Sequence, residues 1–294
     1  MLENRKFLSI YKKEFNMPTL ILVHIGDKFP DYINDCILQI QSVTSISIQV
    51  LINKQHAEKI SSGVQIFFLE DIPKSENHKK FESMSKLSST FRGGFWKFAT
   101  QRFFYLYDHV LNKNLTDVFH IENDNLIYMD FLEKLEIFQK KNMWCVMDSQ
   151  NRCIPSFLYF KNSDILYKLT ESCLNNSIKG LTDMESLAIF RHLNKNEVGL
   201  LPIVKDYIDI IDPDFFENII YFNCIFDAAC VGQFIGGVDP NNKTGDTTGF
   251  INETSIIKCN KVKIDFRDNK PYLNDVPMAN LHIHSKDLKR WTSL

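Results

Sequence analysis

The chain has 294 residues, 44% of them hydrophobic and 24% charged, which is long enough for a sizeable core and excludes a disordered or fibrous protein. Its net charge of -2 provides no basic excess for a phosphate backbone, so a dedicated nucleic-acid binder is excluded and an anionic ligand must be met locally. The seven cysteines are widely spaced, form no CxxC pair and sit among apolar neighbours, as reduced core thiols of a cytoplasmic protein would. The opening MLENRKFLSIYKKEFNMP lacks the apolar run of a signal peptide, and no later segment is long enough to span a bilayer, so no transmembrane part is expected.

TLILVHIG at 19–26 reads as a buried strand ending in glycine, DYINDCILQIQSV as an amphipathic helix and ISIQVLIN at 46–53 as a second buried strand. GVQIFFLEDI at 63–72 is a third strand candidate, and the Lys- and Ser-rich stretch 74–90 reads as a mobile loop. The aromatic segment 95–113 predicts a helix leading directly into the strand VFHIEND. DFLEKLEIFQKK predicts a helix, MWCVMD and PSFLYFKN predict strands, and two helices near 163–176 and 183–194 precede the strand GLLPIVKDY.

This alternation predicts an α/β fold: a mostly parallel, twisted, Rossmann-like sheet flanked by helices, with ligands at the carboxyl ends of the strands. The last third differs. IFDAACVGQ starts as a small-residue helix, DPNNKTGDTTGFINE is a polar loop that would close over a ligand, and KVKIDFRDNKPYL alternates like an edge hairpin. No repeat or low-complexity linker sets this part off, so a single domain with a C-terminal extension is expected.

Chemistry concentrates where VFHI ends in Glu122, Asn123 and Asp124. Two carboxylates two residues apart at a strand tip repel unless a cation bridges them, and hard oxygen ligands suit Mn²⁺ or Mg²⁺. The tail NLHIHSK places His282, His284 and Lys286 at alternate positions, so an extended backbone would aim all three one way as metal ligand and phosphate cation. Arg102 in the aromatic helix and Arg92 in FRGG are candidates to fork onto a phosphate or onto Asp124. Asp183 and Glu185 open the helix after the candidate cap Thr182, where the dipole already favours acids; either, or Asp227, could accept a proton from a hydroxyl. The P-loop, dinucleotide, nucleophile-elbow and zincin motifs are all missing.

From HIGDKFPDYINDCILQIQ through Arg102 and IENDN to GLTDMESLAIF and NLHIHSK, the chain resembles the nucleotide-sugar-dependent glycosyltransferases of the GT-A fold, with Glu-Asn-Asp as a variant of their DxD motif. The resemblance implies a nucleoside diphosphate sugar donor over Mn²⁺ or Mg²⁺, held by Glu122 and Asp124 with His282 or His284. It implies that Lys286 meets the diphosphate, that Arg102 and Asn123 lie at the donor, and that the opening loop after Val23, His24 and Ile25 receives the base and ribose, with His24 and Ile25 among the donor-binding residues. It further implies a donor half at about 18–150, an acceptor half at about 151–294, and a glycan or glycoconjugate acceptor in surface polysaccharide or glycoprotein glycan synthesis. The histidine-lysine tail is similar to the closing segment of glycogenin-like and related bacterial galactosyltransferases and favours retention of configuration; inversion would use Asp183 or Glu185 as base. The rival readings are a nucleotidyltransferase and an inactive glycan-binding scaffold, in which FRGGFWKF would be a sugar platform.

Overall fold

The computed structural model describes residues 17–205 and 213–294. The end of the predicted strand GLLPIVKDY therefore lies outside the described residues, and only its start is seen as a strand.

The chain opens with β1 (Thr19–His24), α1 (Tyr32–Val43), β2 (Ser47–Ile52) and β3 (Gln65–Phe68). Leu20, Ile21, Leu22, Val50, Leu51 and Ile52 are fully buried, as continuous Val, Leu and Ile runs should be in a sheet covered on both faces. The segment predicted as a mobile loop instead carries α2 (Glu76–Met84), capped by the Ser75 hydroxyl, which accepts from the His78 N–H. Its polar residues are the solvent face of a helix anchored by two side chains. Phe81 stacks on Phe104 at 4.6 Å, and the fully buried His78 ring bonds Asp108 at 2.7 Å and Gln101 at 3.0 Å, which closes α2 onto α3 (Phe95–Lys113).

Next come β4 (Val118–Ile121) and the short β5 (Asn125–Ile127). The helix expected from DFLEKLEIFQKK is reduced to a 3₁₀ turn, Phe131–Lys134, and one α turn, α4 (Leu135–Phe138). The break fits the anchoring: Phe131 and Phe138 are both fully buried and both pack on Phe119. Then follow β6 (Met143–Ser149), β7 (Arg152–Phe160), α5 (Ser163–Ser177), α6 (Asp183–Leu193), β8 (Val198–Leu200), α7 (Ile219–Phe222) and the short α8 (Val231–Gly236).

The main sheet has the order β3-β2-β1-β4-β7-β6-β8. All of its pairings are parallel except those of β7, which runs against both β4 and β6. The fold is therefore α/β with a mostly parallel central sheet between helices, as the alternation predicted. The predicted hairpin is β9 (Ile264–Arg267) and β10 (Lys270–Leu273), extended by β11 (Val276–Pro277) into a separate three-stranded sheet. Its turn residues Asp268 and Asn269 both have positive φ, 48° and 59°, which matches the right-handed twist of a two-residue hairpin.

β12 (Asn280–His282) pairs antiparallel with β5, opposing His282 to Asn125. That pairing carries the tail to the tip of β4. No described helix is long and apolar enough to cross a membrane.

One histidine far from that tip sets an acid limit on stability. His109 in α3 is bonded to Gln49 of β2 at 2.7 Å and is 1% exposed, and burial followed by the nearby Lys113 charge lowers its pKa from 6.5 to about 4. The unfolded chain thus binds more protons between those values; the contribution is complete above pH 6.5 and is lost as pH falls towards 4. Wild type should lose on the order of 2 kcal/mol more than His109→Gln between pH 7 and pH 5 in denaturant titrations. Equal losses would show that His109 does not carry this linkage.

Candidate metal and anion site

β4 is buried along its whole length and stops at Ile121, where the chain turns through Glu122 to Asp124 with the Asn125 N–H donating to the Glu122 carbonyl. The Asn123 side-chain amide donates to the Val23 carbonyl at 3.0 Å, tying the acidic turn to the end of β1. Both carboxylates are thereby held at the carboxyl ends of the two central parallel strands, where such sheets receive ligands.

His282 reaches the same point. Its Nε2 lies 3.0 Å from Asp124 Oδ1 and 3.3 Å from Glu122 Oε2. Glu122, Asp124 and His282 can each offer one ligand atom, all within 4.8 Å of one another, and form the one group of three metal-ligating side chains found among the described residues. Two carboxylate oxygens and an imidazole nitrogen are a donor set suited to Mn²⁺, and also to Mg²⁺ through the oxygens. Burial by itself would raise both carboxyls. The charges of His282 and Lys286 outweigh it at Asp124 and hold it well below the usual carboxylate range, while Arg102 and then His282 do the same more weakly at Glu122. The fit is chemical as well as spatial: two ionised carboxylates already face cationic groups of the protein.

The tail does not continue as the extended segment that would align all three side chains. It leaves β12 after His282 and turns, the Lys286 N–H donating to the Ile283 carbonyl and Lys286 taking φ 66°. A bulky side chain in the left-handed region costs about 1–3 kcal/mol and persists only where its surroundings enforce it. The turn brings the ammonium onto Asp124 Oδ2 and over the Tyr32 ring at 5.4 Å. The Lys286 pKa is raised despite burial, first by Asp124. His284 packs edge-on against His282 at 4.3 Å, but it is bonded to Gln233 at 2.6 Å and stands outside the three-residue group. Burial, then the charges of His282 and Lys286, keep His284 neutral.

Arg102 does not reach Asp124. Its Nη1 donates to Glu122 at 2.6 Å and its Nη2 to Asp183 at 2.8 Å, so one buried guanidinium joins the Glu122–Asp124–His282 group to the start of α6. Asp183 is consequently at the site, 2% exposed, with its carboxyl raised by burial and its Oδ1 free of any hydrogen bond. Glu185 is not: its carboxylate accepts from the Thr182 N–H and hydroxyl at 2.8 Å as the second half of a capping box. Asp227 accepts four main-chain N–H groups at 2.9–3.0 Å. Arg92 pairs with Asp239 at 2.8 Å, at the start of the polar loop. His24 ends β1 and Ile25 follows it, and the His24 ring bonds the Lys28 carbonyl at 2.8 Å while burial lowers its pKa to about 4.

The sequence reasoning missed Asn125 and Asn280, both fully buried. The Asn280 amide donates to Asn125 Oδ1 at 3.0 Å, Asn125 in turn donates to the Ser156 carbonyl, and the Asp227 N–H donates to Asn280 Oδ1 at 3.0 Å. The available signal was the recurrence of Asn-Leu at the two strands, in NLI and in NLH. Tyr32, at the start of α1, was also overlooked; burial pushes its hydroxyl up to about 12.

Among solved structures, the apo form of mouse xyloside xylosyltransferase 1 is similar with a TM-score of 0.45 and 10% identity, covering 63% of this chain and 85% of that one. Galactosyltransferase LgtC, in complex with donor and acceptor sugar analogs, is similar with a TM-score of 0.40 and 11% identity, covering 63% and 73%. No protein-family model and no curated sequence matches the chain.

Proposed function

We propose that the protein is a metal-dependent glycosyltransferase of the GT-A type, moving a sugar from a nucleoside diphosphate sugar to a hydroxyl of a glycan or glycoconjugate. The observation that carries the reading is the meeting of Glu122, Asp124 and His282 at the carboxyl end of a mostly parallel sheet, with the Lys286 ammonium on the same aspartate. A protein that needs those carboxylates only for stability would have little reason to bury them together, because desolvation opposes each of them.

Glu122, Asp124 and His282 would hold Mn²⁺ or Mg²⁺, whose charge would offset the negative charge that collects on the departing diphosphate. Lys286 offers a point charge to a phosphate oxygen once Asp124 turns to the cation. Arg102 holds Glu122 in one rotamer, and Asn123 holds the acidic turn against β1. The loop after β1, with His24 and Ile25, is where the base and ribose would lie. We assign about 18–150 to the donor side and 151–294 to the acceptor side and the closing segment.

The same geometry bears on stereochemistry. Glu185 is committed to its cap and Asp227 to main-chain donors, which leaves Asp183, held by Arg102 through one oxygen, as the base an inverting course would use. The histidine-lysine tail still favours a retaining course, in which no protein base is required.

A thermal-shift panel of nucleoside diphosphates and nucleotide-sugars, each with and without Mn²⁺, tests the reading. One nucleotide should stabilise the protein only when Mn²⁺ is present, by about 2.7 kcal/mol at a hundred times its dissociation constant. Stabilisation by oligosaccharide alone, indifferent to nucleotide and metal, would favour the scaffold reading instead.

A further inference from the structure

The bonds of Asp227 tie two distant segments together. Its Oδ1 accepts from the Cys230 and Val231 N–H groups, both at 3.0 Å, and its Oδ2 accepts from Gly232 at 2.9 Å. Those three donors are the open first turn of α8, which side-chain oxygens commonly satisfy. The fourth donor is different in kind: it is the N–H of His282, 3.0 Å from the same Oδ2 and 55 residues away.

Gly232 makes this possible. A Cβ at that position would stand 2.6 Å from the carbonyl carbon of His282 and closer still to its oxygen, so only glycine lets α8 lie against β12. Asp227 is itself held at both ends of its backbone, its N–H on Asn280 and its carbonyl accepting from the Ser156 hydroxyl at 2.8 Å. The main chain of His282 is therefore bonded on its N–H side to a buried carboxylate and lies on its carbonyl side in close contact with the α8 backbone at Gly232, while its ring faces Glu122 and Asp124.

We propose that Asp227 is a positioning residue of the metal site: it fixes the backbone of His282 so that the imidazole already stands over the two carboxylates when a cation arrives, and Gly232 is the gap that admits this grip. The inference rests on the reading of Glu122, Asp124 and His282 as cation ligands.

The test uses the full chain as Asp227→Asn and Gly232→Ala, with Val50→Ala in β2 as a control that loosens the sheet away from the site. An amide in place of the carboxylate keeps one accepting oxygen, so two of the four N–H donors lose their partner. Mn²⁺ binding, followed by the electron paramagnetic resonance of free Mn²⁺, should weaken by roughly 10- to 100-fold in both variants, the usual effect of disturbing a group that orients a ligand. The control should lower the melting temperature and leave Mn²⁺ affinity unchanged. Folded variants that bind Mn²⁺ as wild type does would overturn the proposal.

Absence of Mn²⁺ binding in wild type would instead sink the cation reading. The positioning claim is then decided in the metal-free protein by the imidazole NMR signal of His282, assigned with His282→Gln. That signal should move in Asp227→Asn and in Gly232→Ala while the His109 signal stays in place; an unmoved signal defeats the claim. If Asp227→Asn does not fold, Gly232→Ala carries both readouts.

Discussion

Asp124→Ala is expected to abolish the Mn²⁺-dependent stabilisation by nucleoside diphosphate and to destabilise the protein even without ligand. The first effect follows from its place in the cluster, where it offers an oxygen for the proposed cation and is the partner of Lys286. The second follows from what it leaves behind. The partly buried Lys286 would lose its ion-pair partner, and His282, 4% exposed and held protonated against burial first by Asp124, would lose the main support for its charge. Removing one member of a buried ion pair costs about 3–5 kcal/mol, and the lower end applies here because the Lys286 ammonium can turn towards water. Melting curves of wild type and variant, with and without Mn²⁺ plus nucleotide, separate the two effects. A variant that still responds to Mn²⁺ and nucleotide together would remove Asp124 from the metal site.

Arg102→Met should cost a similar amount, about 3–5 kcal/mol, because it strands the buried Asp183 and leaves the half-buried Glu122 with His282 alone. Glu122 and Asp183 lie on either side of the guanidinium, and among the described residues no other cationic side chain bonds Asp183. Arg102→Lys should recover only part of this, since one ammonium cannot reproduce the fork that serves two acceptors. A double-mutant cycle tests the cause. If stranded charge is the reason, Arg102→Met with Asp183→Asn should be more stable than Arg102→Met alone, with a coupling of roughly 0.5–3 kcal/mol. Additive losses in urea titrations would mean that the arginine acts through packing on Phe103 instead. The same variants report on function: Asp183→Asn alone should spare Mn²⁺ binding, because Glu122 keeps its arginine.

Much of the scaffold was legible because it depends on local patterning. Continuous apolar runs mark strands covered on both faces, and the spacing of Ile33, Cys36, Ile37 and Ile40 marks the buried stripe of α1. The helix at 95–113 was predicted to the residue, since its aromatic face and the following polar turn leave little choice of ends. Segments whose structure depends on distant partners were not legible. The stretch 74–90 looks like a loop because only His78, Phe81 and Leu87 are buried, and the burial of His78 requires Asp108 and Gln101 on a helix further along the chain. A similar dependence undid the helix after β5, where two phenylalanines follow the position of Phe119 in preference to helical continuity.

For the site, the sequence alone determined the inventory: an apolar strand that ends in Glu122 and Asp124, and a tail with His282 and Lys286 available to meet a cation or a phosphate. Those conclusions need only residue type and position along a strand. Which groups meet was decided by the tertiary structure, because contacts across some 160 residues depend on how β12 pairs with β5 and on the turn that carries Lys286 back. Tertiary structure also sorted the acids. Asp183, Glu185 and Asp227 look equivalent as acids near helix starts, yet one faces an arginine, one closes a capping box and one grips main-chain N–H groups. A carboxylate takes its role from the donors folded around it, and those donors come from parts of the chain that local sequence does not reveal.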